Sequence, residues 1–144
     1  MDKTLVWGSA DLEEDDFVRS FESCKYPNEK FRHTDHIRLA WIYIRRFGIR
    51  EGEDRMAASI RRFAISVGHE EKYHATITKA WTRLIYVAYR TTPVLHDFHK
   101  FLSSHLWLAE KNSLHAFYSQ TLLASVEARQ DWVEPDVQNL PEVV

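Results

Sequence analysis

Residues 34–48, with the sequence TDHIRLAWIYIRRFG, decide the fold class of this chain. The apolar side chains of this stretch recur at helical spacing, at Ile37, Ala40, Trp41, Ile44 and Phe47. One face of a helix would carry all of them, which predicts an amphipathic α-helix from about Thr34 to Phe47. Gly48 follows directly, in the position after a helix where glycine accepts a left-handed backbone.

Similar stripes on both sides of this stretch predict further helices. On the N-terminal side we expect a helix over residues 9–24, capped by Ser9 or Asp11, and then a loop over residues 25–33. On the C-terminal side, two long helices are expected, one from Glu53 to Val67 and one from Glu70 to Arg90. Three more helix starts are expected at Thr92-Pro93, at Asn112 or Ser113, and at Ser125.

Glycine and proline are scarce, at four residues each among 144. Their joint share is about half of the roughly 12% found in average proteins. This argues against turn-rich sandwiches and barrels and favours long helices. The sequence therefore predicts an all-α, single-domain bundle over residues 1–144. It has about five main helices, short C-terminal helices, a helical core over residues 9–134 and an extended tail over residues 135–144.

The charge and the apolar runs exclude several classes of partner. The formal net charge is −2, so no chain-wide positive field attracts nucleic acid or an anionic membrane. No apolar run approaches the about 20 residues of a membrane span, and the N-terminus lacks the apolar core of a secretory signal. Cys24 is the single cysteine and excludes an internal disulfide. We expect a cytoplasmic protein with a small-molecule substrate; a homodimer stays open.

Six arginines crowd the two helices around Gly48: Arg45, Arg46, Arg50, Arg55, Arg61 and Arg62. A solvated face of the two helices is the favoured interpretation of this run. An interface for a partner protein is the alternative.

Three of the eight histidines are candidates for a shared site. His33 and His36 lie three residues apart at the start of a helix, so their imidazoles share one face. His74 belongs to the inward stripe of the helix predicted over Glu70–Arg90, where a buried imidazole needs a partner or a role. If these helices pack side by side, the three histidines could hold Zn, Cu, Fe or Ni with an open position. The alternative is an exposed pair and one hydrogen-bonded core histidine.

Five motifs stand along residues 31–141 of the chain. They are Phe31-x-His33-x-x-His36-x-x-x-Ala40-Trp41, Tyr73-His74-x-Thr76-x-Thr78-x-x-Trp81, Tyr118-Ser119, Ala128-Arg129-x-x-Trp132-x-Glu134-Pro135-Asp136 and Leu140-Pro141. Together they resemble a family of small, uncharacterised, all-helical proteins. The resemblance implies that both histidine motifs and Tyr118-Ser119 belong to one site, and it brings no activity. The family's second motif reads Tyr-His-Glu-Thr, whereas this chain has Ala75 at the third position, so no carboxylate role is implied there.

These features lead to three functional expectations. The first is a small helical enzyme that acts on a small organic molecule, apolar or aromatic, in a pocket at one end of the bundle. His36 and His74, with His33, would hold a metal that polarises the substrate or activates water or oxygen. Thr78 and Tyr118 would supply hydroxyl groups, and Arg129 would supply a cation. No nucleotide-cofactor motif is present.

The second expectation is a metal-free enzyme of isomerase, cyclase or lyase type, in which the same histidines act as general acid and base. The third is a non-catalytic helical module that binds a ligand or a protein. A filled bundle whose histidines are hydrogen-bonded to neighbouring groups would favour this module.

Overall fold

The computed structural model describes residues 12–142. Within this range the secondary structure is helical and contains no strand, which confirms the all-α prediction. The α-helices of the range are α1 Glu14–Glu22, α2 His33–Ser66, α3 Ala75–Thr91, α4 Phe98–Ser104, α5 Gln120–Leu123 and α6 Val126–Gln130. Short 3₁₀ helices lie between them at Asn28–Lys30, Glu70–Lys72, Leu106–Ala109 and Lys111–Ala116. Among the helices of residues 12–142, none combines the length and the hydropathy of a membrane span.

Helix α1 is held on α2 by both apolar and charged contacts. Phe17 and Phe21 are fully buried, while Glu14 in the first turn pairs with Arg45 and Arg46 of α2. Part of the arginine run therefore ties two helices together instead of forming only a solvated face. The predicted caps at residues 9 and 11 lie outside the described residues. Within them α1 begins at Glu14, later than predicted, because acidic residues in the first turn suit the positive end of the helix dipole.

Helix α2 contains the two helices predicted on either side of Gly48. Gly48 has φ 80° and ψ −179°, a conformation that interrupts the helix, and helical structure resumes immediately after it. The positive φ at Gly48 was predicted, but the second segment was expected to begin only at Glu53. The two segments are close at Gly52, where a β-carbon would be in van der Waals contact with the backbone of Ile44, at 3.4 Å.

Helix α3 begins at Ala75, not at Glu70 as the sequence predicted. Residues 70–72 form a 3₁₀ turn, and His74 is extended, with φ −128° and ψ 108°. The helix starts here because the His74 ring accepts a hydrogen bond from the amide of Ile77, at 3.0 Å. His74 is thus the N-cap of α3 and not a residue of its interior.

Helix α4 also begins later than predicted, at Phe98. The Asp97 carboxylate accepts a hydrogen bond from the amide of Lys100 at 3.0 Å and caps the helix. Thr92 cannot serve as the expected N-cap because it ends α3, where its hydroxyl lies 3.4 Å from the carbonyl of Ala88. The predicted start at Thr92-Pro93 is therefore wrong.

The C-terminal region consists of short pieces. The helix expected at Asn112 or Ser113 is the 3₁₀ helix Lys111–Ala116, and the helix expected at Ser125 is α6. The Ser125 hydroxyl accepts a hydrogen bond from the amide of Ala128, which confirms the predicted cap. Residues 135–142 contain no helix, as expected for a tail.

The core lies where α1 and α4 pack on the central pair α2 and α3. On one side, the ring of Phe21 stacks on that of Phe63 with centroids 4.6 Å apart. On the other, Trp41 of α2 stacks on Phe101 of α4 at 5.5 Å. Aromatic rings thus pack on both sides of α2, among the aliphatic side chains of the core.

Candidate functional site

His33 lies in the first turn of α2 and connects three elements. Its Nε2 is 2.8 Å from the carbonyl oxygen of Leu108, and its ring meets the ring of Trp81 on α3 at 4.8 Å. The rings of His33 and His36 are 6.4 Å apart, so the structure places this pair together as predicted. Burial lowers the pKa of His33, which favours the neutral ring near pH 7.

His36 points its Nε2 into the protein, where this atom is buried and has no hydrogen-bond partner within residues 12–142. Burial is the main cause that lowers the pKa of His36 to about 3, and the positive charges of His33 and Lys111 add to it. The side chain is therefore a neutral imidazole near neutral pH. Burying this nitrogen without a hydrogen-bond partner lowers the stability of the folded chain.

Both ring nitrogens of His74 are engaged by the backbone. Nδ1 accepts from the amide of Ile77, which places the proton on Nε2, and Nε2 donates to the carbonyl of Leu123 at 2.8 Å. Burial, and then the nearby charge of Arg129, lower the pKa of His74. Neither nitrogen is left to bind a metal or to move a proton.

The predicted ligand set His33, His36 and His74 does not fit a metal ion. Among residues 12–142, no group of three or more His, Cys, Asp or Glu side chains is arranged to hold one. His33 and His36 are adjacent, but the two nitrogens of His74 already have backbone partners. We therefore assign no reaction step that depends on Zn, Cu, Fe or Ni to these histidines.

The two predicted hydroxyl groups are buried in the fold. Thr78 is 4% exposed, and its carbonyl accepts a hydrogen bond from Thr82. Tyr118 is fully buried and donates to the carbonyl of Val133 at 2.8 Å, while burial raises its pKa to about 12. The Tyr118 hydroxyl thus fixes the backbone at Val133 and does not point into an open site.

Other motif residues also hold residues 131–136 in place, within the C-terminal segment, by which we mean residues 118–142. The buried Thr76 hydroxyl donates to the carbonyl of Asp131 at 2.9 Å and accepts from the amide of Val133 at 3.1 Å. Ser119 donates from both its amide and its hydroxyl to the carboxylate of Asp136, at 2.8 and 2.6 Å. Thr76 of the second motif and Tyr118-Ser119 of the third thus contact the same part of the fourth motif, mostly through its backbone.

A cleft of about 490 Å³ opens beside the His74 cap. Its walls come from the end of α2, the 3₁₀ turn before α3, and α6. We call it the Tyr73 cleft; it is lined by Arg61, Glu70, Glu71, Tyr73, Arg129 and Gln130.

The polar groups of the Tyr73 cleft are only partly paired. Arg61 lies 3.3 Å from Glu70, and both side chains are more than half exposed. One nitrogen of Arg129 donates to the carbonyl of Glu71 at 3.0 Å, which fixes the guanidinium at the rim. The half-buried Tyr73 hydroxyl has no hydrogen-bond partner among the described residues. Burial raises the pKa of Tyr73 and Arg61 opposes this shift, so the phenol is a hydrogen-bond donor at neutral pH.

A second cleft, of about 610 Å³, lies between the kink of α2 and the C-terminal tail. Trp132 forms part of its wall, but the guanidinium of Arg83 already lies 4.5 Å from the ring centroid of Trp132. Arg83 in turn pairs with Glu53 at 2.9 Å. The polar groups around this indole are thus mostly satisfied within the protein.

Sequence reasoning missed the Tyr73 cleft as a site. Arg129 was considered as a cation and Tyr73 was part of the second motif, but Arg61 was assigned to a solvated face. Arg61 and Arg129 are 68 positions apart in the chain. No local spacing connects them, because only the docking of α6 beside α3 brings both to one cleft.

No family model, curated protein or solved structure matches this chain. The resemblance to a helical family noted above therefore stays a prediction.

Proposed function

We propose that this chain is a non-catalytic helical module that binds a small carboxylate-bearing molecule in the Tyr73 cleft. The observation that carries the proposal is that one cleft is lined by Arg61, Arg129 and Tyr73, whose hydroxyl has no hydrogen-bond partner among the described residues. Phenol and guanidinium groups are donors that suit a carboxylate, and a guanidinium can bind it with two hydrogen bonds. The volume lies within the range of about 300–1,000 Å³ for small-molecule sites.

The energetics of the two arginines support binding here. The pair Arg61–Glu70 is exposed to solvent, and pairs of this kind contribute about 0–1 kcal/mol. A ligand carboxylate can therefore replace Glu70 at Arg61 at little cost. Arg129 is already fixed by the carbonyl of Glu71, so less conformational entropy is lost when it binds.

The non-catalytic part of the proposal rests on the histidines and on Tyr118. His74 uses both nitrogens in backbone hydrogen bonds, and the Tyr118 hydroxyl donates to a carbonyl. His36 holds its Nε2 buried and neutral. The backbone hydrogen bonds of His33 and His74 in a filled bundle are the arrangement expected of a binding module.

Pentanoate tests the proposal as a simple carboxylate probe in an NMR titration of the amide resonances. We expect shifts centred on residues 61, 70–73 and 129–130, with a dissociation constant of about 5 mM for a ligand of this size. Tyr73→Phe removes only the hydroxyl and should weaken binding about fivefold. Arg129→Gln should weaken it about tenfold, because a charged hydrogen bond is lost.

Arg19→Gln is the matched control for charge. Arg19 is an exposed residue of α1 that pairs with Asp16 and does not line the cleft, so this variant should bind pentanoate like the wild type. The proposal is wrong if pentanoate shifts no amide of the Tyr73 cleft. It is equally wrong if Tyr73→Phe and Arg129→Gln bind as the wild type does.

A further inference from the structure

The lining of the Tyr73 cleft carries both signs of charge. Arg61 and Arg129 contribute two positive groups, and Glu70 and Glu71 contribute two carboxylates. Each arginine is next to one acidic residue: Arg61 contacts the carboxylate of Glu70, and Arg129 contacts the carbonyl of Glu71. A ligand held by the guanidinium groups therefore lies in a cleft whose lining also includes two carboxylates.

The side chain of Glu71 is available to a ligand. It is 65% exposed, and the weak partner seen for it is the ring of His69, at 3.5 Å. A backbone hydrogen bond is the first cause that lowers the pKa of Glu71, so its carboxylate is ionised at neutral pH. A second negative group on a ligand would be repelled here, while a positive group would be attracted.

We propose that the ligand of the Tyr73 cleft is a zwitterion of the amino-acid type, whose carboxylate binds Arg61, Arg129 and Tyr73 and whose ammonium group binds Glu71. This inference rests on the proposed function and names the class of ligand for the same site. The net charge of the ligand is zero, which matches a lining with two positive and two negative side chains. Gln130 adds an amide that can donate or accept a hydrogen bond at the same rim.

Three probes of similar length separate the ligand classes: pentanoate with one carboxylate, glutarate with two, and 5-aminopentanoate with a carboxylate and an ammonium group. Exposed ion pairs are weak, so we expect 5-aminopentanoate to bind about threefold more tightly than pentanoate. Glutarate should bind about threefold more weakly than pentanoate, because its second carboxylate meets Glu71. NMR titrations of the wild-type protein at low ionic strength measure all three constants.

Glu71→Gln tests which protein group binds the ammonium group of the ligand. This variant should bind pentanoate at least as well as the wild type but should lose the preference for 5-aminopentanoate, and Glu71→Asp should restore part of it. Glu51→Gln is the control, because Glu51 is an exposed carboxylate that pairs with Arg55 outside the cleft. It should leave the order of the probes unchanged.

The outcomes separate this inference from the proposed function. If pentanoate binds but 5-aminopentanoate binds no more tightly than pentanoate, the inference is overturned and the carboxylate site stands. If the preference survives in Glu71→Gln, the ammonium contact assigned to Glu71 is wrong. If none of the three probes binds, the proposed function itself fails.

Discussion

His36 carries an imidazole that the fold keeps neutral. Burial, with the positive charges of His33 and Lys111, lowers the pKa of His36 to about 3, against about 6.5 for histidine in an unfolded chain. Between these values the unfolded chain binds a proton that the folded chain does not. The free energy of unfolding of the protein therefore falls as the pH drops from 6.5 towards 3, and His36 accounts for up to about 1.4 kcal/mol of this loss per pH unit. Above pH 6.5 the His36 ring is neutral in both the folded and the unfolded chain, and none of this stability is lost.

We expect His36→Leu to remove this acid sensitivity. Leucine fills the site without a nitrogen that needs a partner, so the variant should gain stability relative to the wild type as the pH falls from 7 to 5. Urea unfolding at several pH values measures the difference. His96→Leu replaces an exposed histidine and serves as the control, which should follow the wild type. Parallel pH profiles for wild type and His36→Leu would contradict the prediction.

At the level of elements, Gly48 sets the kink in α2. Its backbone, with φ 80° and ψ −179°, lies in a region open almost only to glycine. A β-carbon at this position would have no atom within 4 Å, so the cost of Gly48→Ala comes from the backbone alone. We expect a loss of about 2 kcal/mol in the free energy of unfolding, measured by urea denaturation.

Gly68→Ala provides the comparison for Gly48→Ala. Gly68 also has a positive φ, of 77°, and an open position for a β-carbon. It ends α2 with the hydrogen bonds Gly68–Ile65 and His69–Ala64, which are typical of the left-handed helical region. Other residues enter this region at a cost of about 1 kcal/mol. Equal or reversed losses for the two variants would argue against the conformation assigned to Gly48.

The contact between α3 and the C-terminal segment depends on Thr76. Its hydroxyl joins the carbonyl of Asp131 to the amide of Val133, and the side chain is fully buried. Thr76→Val leaves both backbone groups without this partner, and we expect a loss of about 2–4 kcal/mol. Hydrogen exchange should also increase in residues 118–137.

Thr82→Val is the matched control for Thr76→Val. Thr82 is equally buried on α3, but its hydroxyl donates only to the carbonyl of Thr78 within the same helix. This variant should lose much less stability and should leave exchange in residues 118–137 unchanged. The same increase in exchange for both variants would show that Thr76 does not fasten the segment.

The helices of this chain were more predictable than their ends. The apolar stripe from Ile37 to Phe47 predicted the first segment of α2, and Ser125 predicted the start of α6, because both signals are local. The start of α3 was missed because histidine is not among the preferred N-cap residues, and its ring acts here through Nδ1. The start of α4 was missed because Thr92 is already used at the end of α3.

The site was harder to predict because tertiary contacts decide the role of each side chain. The spacing of His33 and His36 correctly predicted neighbouring imidazoles. Nothing in the sequence indicated that the carbonyls of Leu108 and Leu123 would accept hydrogen bonds from the rings of His33 and His74. Once the backbone takes up the nitrogens of His74, the same residues that suggest a metal site are structural.

At the scale of the whole molecule, apolar and polar contacts together attach the C-terminal segment, since Tyr118 belongs to the buried core and Leu122, Trp132 and Val133 pack against it. Tyr118, Thr76 and Ser119 each bind a different part of residues 131–136. Helices α1 to α4 contribute most of the large aromatic and aliphatic side chains of the core. The segment nevertheless buries the α3 face that carries Thr76, so neither part completes its structure alone.

We therefore expect residues 12–142 to unfold as one cooperative unit, as a single domain does. Helices α2 and α3 dominate the far-UV circular dichroism. The five tryptophans give the fluorescence signal, and among them Trp41 and Trp81 lie in the core and Trp132 lies in the C-terminal segment. Urea transitions followed by the two signals should coincide in midpoint and slope. An earlier fluorescence transition that disappears in Trp132→Phe would show that the C-terminal segment unfolds first. The Tyr73 cleft would then lose its α6 wall while α2 and α3 remain folded, and ligand binding would be lost before helicity.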